Sequence, residues 1–142
     1  MDSFGVVVFG KDGRVALRKP SNGYGGYVWT HAKGQPDKGE TPAKTAMREA
    51  KEELGYKVRI LEPLGVFNSS PDYQNFYFLG FALEGPFKTD WETEEVRWFT
   101  VEEARVALTL SAKVYGNKAG SRRDIRVFEA ALKALHELTG EP

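Results

Sequence analysis

FGVVVFG (4–10) is an unbroken apolar, β-branched run, and RVALRK (14–19) alternates apolar with polar positions. KDG (11–13) between them is turn chemistry, so the three predict a β-hairpin. PSNGYGG (20–26) is rich in Gly, Ser, Asn and Pro and predicts a loop. YVWTH (27–31) reads as a further strand, and AKGQPDKGE (32–40), with its glycines and proline, as a loop. Thr41-Pro42 marks a helix start, with Thr as N-cap and Pro at the first helical position; Gly55 stops that helix after Leu54. KVRILEPLGVFNSS (57–70) and YQNFYFLGFALE (73–84) read as strands around an SSPD turn, and EVRWFT (95–100) as a short strand. VEEARVAL (101–108) predicts a helix. SRRDIRVFEAALKALHEL (121–138) predicts an amphipathic one, with Ser121 as N-cap and Ile125, Phe128, Leu132, Leu135 and Leu138 on one face. Strands mixed with three helices, apolar on both faces of the sheet, predict an α/β class: a sheet sandwiched between helices.

A chain of 142 residues is the size of one domain and long enough to bury a core without staples. Lys+Arg and Asp+Glu both number 20, and this balance argues against a general binder of nucleic acid or of membrane surfaces. There is no cysteine, which excludes disulfides, thiolate metal sites and a cysteine nucleophile. No apolar run approaches a membrane span, and MDSFGVVVFGKDGR lacks the basic lead and long apolar region of a signal peptide. A cytoplasmic location is the expectation.

The helix expected over 42–54 holds the candidate chemistry. At 100° per residue, Ala43, Ala46, Met47, Ala50 and Leu54 form one stripe, small enough to lie close against a sheet. Glu49, Glu52 and Glu53 fall together on its flank, one turn or less apart. Like charges at that spacing repel. Either the flank is simply solvated, or the carboxylates converge on something positive. Oxygen-only ligands suit a hard cation such as Mg²⁺ or Mn²⁺. Arg48 and Lys51 could supply some positive charge but are expected on other parts of the helix surface.

GQPDKGETPAKTAMREAKEELGY (34–56) resembles the Nudix box, Gly-x5-Glu-x7-Arg-Glu-U-x-Glu-Glu-x-Gly-U with U a bulky apolar residue. Gly34, Glu40, Arg48, Glu49, Glu52, Glu53 and Gly55 match its fixed positions; Ala50 and Tyr56 stand at the looser U positions. The resemblance implies an α/β/α sandwich with a mixed β-sheet between helices, formed as one domain over 1–142. It also implies Mg²⁺- or Mn²⁺-dependent hydrolysis of a nucleoside diphosphate linked to another group, X. At matching positions it implies Glu49, Glu52 and Glu53 as metal ligands and catalytic residues, with the Gly34 carbonyl as a further ligand. Glu40 is expected to order the loop or act through water, and Arg48 to pair with a box glutamate. The general base is expected to be Glu53 or a glutamate of KTDWETEEVRW (88–98): Glu92, Glu94 or Glu95.

Before the box, YVWTHAKG (27–34) resembles the W-x-x-P-K-G of diadenosine-polyphosphate and related hydrolases. Trp29 and Lys33 match, whereas Ala32 replaces the proline. Lys33 is expected to contact phosphate. Tyr24, in a Gly-rich loop, and Tyr73, beside a turn, are the expected base-binding aromatics. His31 is expected to be structural. SAKVYGNKAGSRRD (111–124), with Lys113, Lys118, Arg122 and Arg123, reads as a solubilising loop or an anion site at a helix start. A catalytically silent Nudix-fold binding module is the alternative, although such modules usually lose box glutamates. The isopentenyl diphosphate isomerase branch uses a cysteine that is absent here. Expected partners are nucleotides or nucleoside-diphosphate-linked small molecules. Of nucleic acids only a capped RNA 5′ end remains open, and so does a homodimer.

Overall fold

The computed structural model describes residues 2–140. The first apolar run forms β1 (Asp2–Phe9) and the alternating run β2 (Val15–Pro20). They pair antiparallel across the Lys11–Gly13 turn, with Phe9 opposite Val15. A 3-10 turn (Ser21–Gly26) replaces the expected loop, and Asn22, Gly23 and Gly25 in it adopt left-handed backbone. The remaining elements are β3 (Ala32–Gly34), α1 (Pro42–Leu54), β4 (Lys57–Val66), β5 (Gln74–Glu84), β6 (Thr93–Phe99), α2 (Val101–Tyr115) and α3 (Lys118–Thr139).

The sheet runs β4-β5-β1-β2-β6, with β3 added to β1. β1 and β5 are parallel and the other pairings antiparallel, so the sheet is mixed. The unbroken apolar character of β1 follows from its central place, which buries both faces. Val7 and Phe9 enter a core built with Leu108, Val127, Phe128 and Leu132 of α2 and α3. Val6 and Val8 enter a second core with Ala46, Ala50 and Leu54 of α1. The helices therefore cover both faces, giving the α/β/α sandwich.

One strand lies elsewhere than the sequence suggests. YVWTH contributes only an isolated bridge, Thr30 to Arg18, and the strand is Ala32–Gly34, within the segment expected as a loop. β1 and β2 stay paired only near their turn. Where they part, residues 30–34 wedge between them: Thr30 bonds Arg18 of β2, and Ala32, Lys33 and Gly34 face Val6, Gly5 and Phe4 of β1. Gly5 is needed there, because a Cβ would lie 2.6 Å from the Ala32 carbonyl oxygen and 2.8 Å from Lys33 Cβ.

The segment 111–124 is also not a loop. α2 runs on to Tyr115, Gly116 (φ 70°) ends it in left-handed backbone, and Asn117 caps α3 by accepting from the Gly120 N–H. Ser121 is thus a buried helical residue, not the N-cap; its hydroxyl accepts from the Ala112 N–H at 2.9 Å.

Candidate active site

α1 begins and ends as its sequence dictates. The Thr41 hydroxyl accepts from the Lys44 N–H, Pro42 opens the helix, and Gly55 (φ 82°) donates to the Ala50 and Lys51 carbonyls. Gly55 also has to be small: a Cβ would meet the Phe87 carbonyl oxygen at 2.5 Å. Ala46 and Ala50 are fully buried and seat the helix against Val6 and Val8, which brings its glutamate flank up to β3.

Glu53 is buried, with its Oε1 accepting the Lys33 N–H at 2.9 Å and its Oε2 lying 3.5 Å from Arg18 Nη1. Glu49 packs on Gly34, where a Cβ would fall 2.3 Å from the Glu49 carboxyl carbon. Glu52 is more open, at 3.2 Å from Arg48 Nη1. Burial pushes the Glu53 carboxyl up to about 8, with the Glu49 charge adding to it, against the pull of Arg18. Burial likewise lifts Glu49 to about 7, helped by the charges of Glu52 and Glu92.

Arg48 pairs with box glutamates, as the resemblance implies, and does not project from another part of the helix surface. Its Nη1 donates to both Glu49 (2.8 Å) and Glu52 (3.2 Å), its Nε to Glu40 (2.8 Å) and its Nη2 to the Gln35 carbonyl (2.8 Å). Glu40 in turn accepts from the Asp37 N–H and the Thr45 hydroxyl, so loop 35–40 is clamped onto α1. Arg48 holds the Glu40 carboxyl down to about 2. The guanidinium bonds both Glu49 and Glu52, and no three acidic or histidine side chains among the described residues stand in metal-ligand spacing.

The donor set nevertheless fits a hard divalent cation. It is all oxygen, the Gly34 backbone lies against one carboxylate, and burial makes Glu49 and Glu53 resist ionisation despite the pull of Arg48 and Arg18.

The loop after β5 completes this corner. Phe87 N–H donates to the Gly55 carbonyl (2.7 Å), Asp90 N–H to the Glu52 carbonyl (2.9 Å), and the Thr93 hydroxyl to the Glu53 carbonyl (2.9 Å). Of the three glutamates offered as bases, Glu92 is the one whose charge acts on Glu49. Glu94 pairs with Lys19 and Glu95 with Arg97, both along β6. The Lys33 ammonium is largely buried, which lowers its pKa. Tyr24 and Tyr73 are both exposed; Tyr24 lines a cavity with Glu92, whereas Tyr73 stands at the turn before β5.

Sequence reading did not single out Arg18. It sits on the Ala16 side of β2, the face toward α1, and also donates to the Thr93 hydroxyl (3.0 Å) and the Glu92 carbonyl (2.8 Å). A charged residue at a core-facing position of an alternating strand was the available signal.

Behind β3 lies a buried polar cluster. Asp124 accepts from the Thr30 hydroxyl (2.7 Å) and from Arg123, whose Nη2 also donates to the Tyr27 hydroxyl (2.8 Å). Arg123 therefore belongs neither to a solubilising loop nor to an open anion site. His31 Nε2–H donates to the Asp124 carbonyl (3.1 Å), and its buried Nδ1 has no partner among the described residues. Tyr56, at a loose box position, uses its hydroxyl to accept from Trp98 Nε1 (2.9 Å).

No helix among the described residues is long and apolar enough to cross a membrane. A structure described as a NUDIX hydrolase from Nitrosomonas europaea is 27% identical, covering 72% of this chain and 58% of its own, with a TM-score of 0.63. This chain thus spans little more than half of that relative. A C. elegans Ap4A hydrolase superposes at a TM-score of 0.67 with 22% identity, covering 97% of this chain and 98% of its own. An ADP-ribose pyrophosphatase from Streptococcus suis gives 0.67 and 18%, covering 92% and 90%. At such identities the last two speak to the fold alone. The family model described as NUDIX domain matches residues 1–118, a stretch that takes in β1 through α2 and the whole of the glutamate helix, and the chain belongs to the NUDIX family.

Proposed function

We propose that residues 1–142 act as one domain that hydrolyses a phosphoanhydride bond, with Mg²⁺ or Mn²⁺, in a nucleoside diphosphate linked to a second group X. The observation that carries this reading is the packing of two carboxyls beside β3, the half-buried Glu49 against the Gly34 backbone and the buried Glu53 on the Lys33 N–H, with burial lifting them to about 7 and about 8. Burial disfavours the charged form of both carboxyls, and a cation beside them would favour it. Glu49, Glu52, Glu53 and the Gly34 carbonyl would hold the cation. When bound, it supplies neutralisation of phosphate oxygens and an acidified water.

The chain's own groups do the rest. Lys33 N–H fixes Glu53, and the Lys33 side chain offers donors to a phosphate oxygen. Arg48 keeps Glu49 and Glu52 side by side while tethering loop 35–40. Water attacks one phosphorus, the new O–P bond forms, and the anhydride P–O bond breaks with the phosphate leaving. Glu92 is the proposed acceptor of the water's proton, its backbone held by Arg18. Trp29 and Lys33, the matching parts of W-x-x-P-K-G, favour a nucleotide with a polyphosphate tail as substrate.

The test is phosphate release through a coupled phosphatase over diadenosine polyphosphates, ADP-ribose, NADH and nucleoside triphosphates, with Mg²⁺ or Mn²⁺ at alkaline pH. One substrate is expected to lead, with no turnover in chelator. Glu92→Gln is expected to lower kcat about 10²- to 10⁴-fold. Metal-dependent nucleotide binding without turnover would replace the reading with a silent binding module. Full activity in Glu92→Gln would move the base to Glu53.

Gly34→Ala tests the close approach itself. Its Cβ would lie 2.3 Å from the Glu49 carboxyl carbon, so either β3 or Glu49 has to move. Turnover is expected to fall roughly tenfold to hundredfold from misplacement alone, with about 1–3 kcal/mol lost in a denaturant melt. Unchanged kinetics would mean that the Gly34–Glu49 contact does not set the site.

A further inference from the structure

A cavity of about 590 Å³ is lined by Ser21, Asn22, Tyr24, Trp91 and Glu92. Its two aromatic residues are the most exposed large hydrophobic side chains among the described residues, Tyr24 at 82% and Trp91 at 84%. The backbone under both is fixed. The Ser21 hydroxyl donates to the Trp91 carbonyl (2.7 Å) and the Ser21 N–H to the Glu92 carbonyl (2.9 Å), tying the two loops together. On the far side of the Tyr24 turn, Asn117 Nδ2 donates to the Gly26 carbonyl (3.2 Å). Gly23 is packed so closely on Tyr115 that a Cβ would lie 2.1 Å from its hydroxyl oxygen. Two rings held out in water on pinned backbone form a stacking platform prepared before any ligand arrives.

Glu92 links this cavity to the site already described. It lines the cavity, the Glu92 carbonyl accepts from Arg18, and Arg18 lies 3.5 Å from Glu53. We propose that Tyr24 and Trp91 form the nucleobase subsite: the base of the substrate stacks on these rings while its diphosphate reaches Glu49, Glu52 and Glu53. This rests on the hydrolase reading and adds where the nucleoside lies. The volume suits a base with its ribose. Stacking tolerates any base, and Asn22 is the one side-chain amide lining the cavity, so little discrimination between bases follows.

Trp91 is its own probe, since Trp29 is buried and Trp98 is partly buried and bonded to Tyr56. AMP and UMP are titrated in chelator while tryptophan emission is followed. Both are expected to quench the parent, AMP more strongly, and neither to quench Trp91→Ala. For the leading substrate of the panel, Trp91→Ala and Tyr24→Ala are each expected to raise KM roughly tenfold to hundredfold, with kcat within about threefold. Trp91→Phe should restore most of the lost affinity. Quenching by AMP in a chain that hydrolyses nothing would uphold the subsite and sink the hydrolase. Turnover with KM unmoved in both alanine variants would sink the subsite alone. A dimer that Trp91→Ala dissociates, with KM unmoved, would reassign the rings to a contact between copies.

Discussion

Glu53→Gln loses at least about 10²- to 10³-fold in turnover, yet stays folded and, without metal at high pH, melts above the parent. The amide oxygen can still accept the Lys33 N–H, so β3 keeps its anchor to α1. Arg18 loses its carboxylate but keeps the Thr93 hydroxyl and the Glu92 carbonyl. What disappears is the buried negative charge. The sign of the pH effect follows from the direction of the shift. Burial raises the carboxyl from 4.5 to about 8 in the folded chain, which therefore retains a proton that the unfolded chain releases. Its contribution is fully present below pH 4.5 and is lost as pH rises through about 8. By pH 9 the ionised Glu53 costs the folded chain on the order of 2–4 kcal/mol, a cost that Gln does not carry. Calorimetric melts in chelator should therefore agree near pH 4 and diverge at pH 9, the variant being higher. Lower melting at both pH values would make Glu53 a structural residue first. Retained turnover would remove it from the site.

The largest stability effect is expected behind β3, at Asp124→Ala. Asp124 is fully buried, and its carboxylate answers both the Arg123 guanidinium and the Thr30 hydroxyl. Removing it leaves a cation and a hydroxyl in the interior with no anion to face. Breaking a buried pair from one side costs about 3–5 kcal/mol, roughly 10–15 °C in Tm for a chain of this size. Asp124→Asn keeps hydrogen-bonding capacity and should lose less. Arg123→Met combined with Asp124→Leu removes both charges and should recover part of the loss, because the desolvation cost goes with them. If the double variant melts below Asp124→Ala, charge is not the source of the effect. Thr30 lies two residues before β3, so Asp124→Ala is also expected to loosen the wedge that carries Lys33 and Gly34.

Much of this was legible in the sequence, and the exceptions share a cause. The β1–β2 hairpin, the caps of α1 and its small-residue stripe follow from local rules, and all three are present as expected. β3 was misplaced because Ala32, Lys33 and Gly34 have little strand propensity; they are extended because a gap between β1 and β2 accepts them. α2 runs beyond its expected end because packing keeps it helical, with the Ser111 hydroxyl accepting from the Val28 N–H. Arg123 looked like part of a basic surface because its partner is the next residue in sequence, and nothing local shows that both are buried. In the site, spacing put Glu49, Glu52 and Glu53 on one flank. The resemblance added that Arg48 would pair with them, but nothing local shows that Arg18, from β2, would approach Glu53.

The parallel pairing of β1 with β5 sets a timetable for assembly. Asp2 aligns with Gln74 and Phe9 with Phe81, so during synthesis β1 waits through β2, β3, α1 and β4 before this partner exists. Until then VVVF can use only its β2 hairpin and the β3 wedge, which leaves much of its apolar surface exposed. Closing so long a connection costs loop entropy before any contact rewards it, which slows folding and lengthens the interval in which the nascent strand can pair wrongly. The glutamate helix is synthesised within that interval, and it has no finished sheet to settle on until β5 arrives.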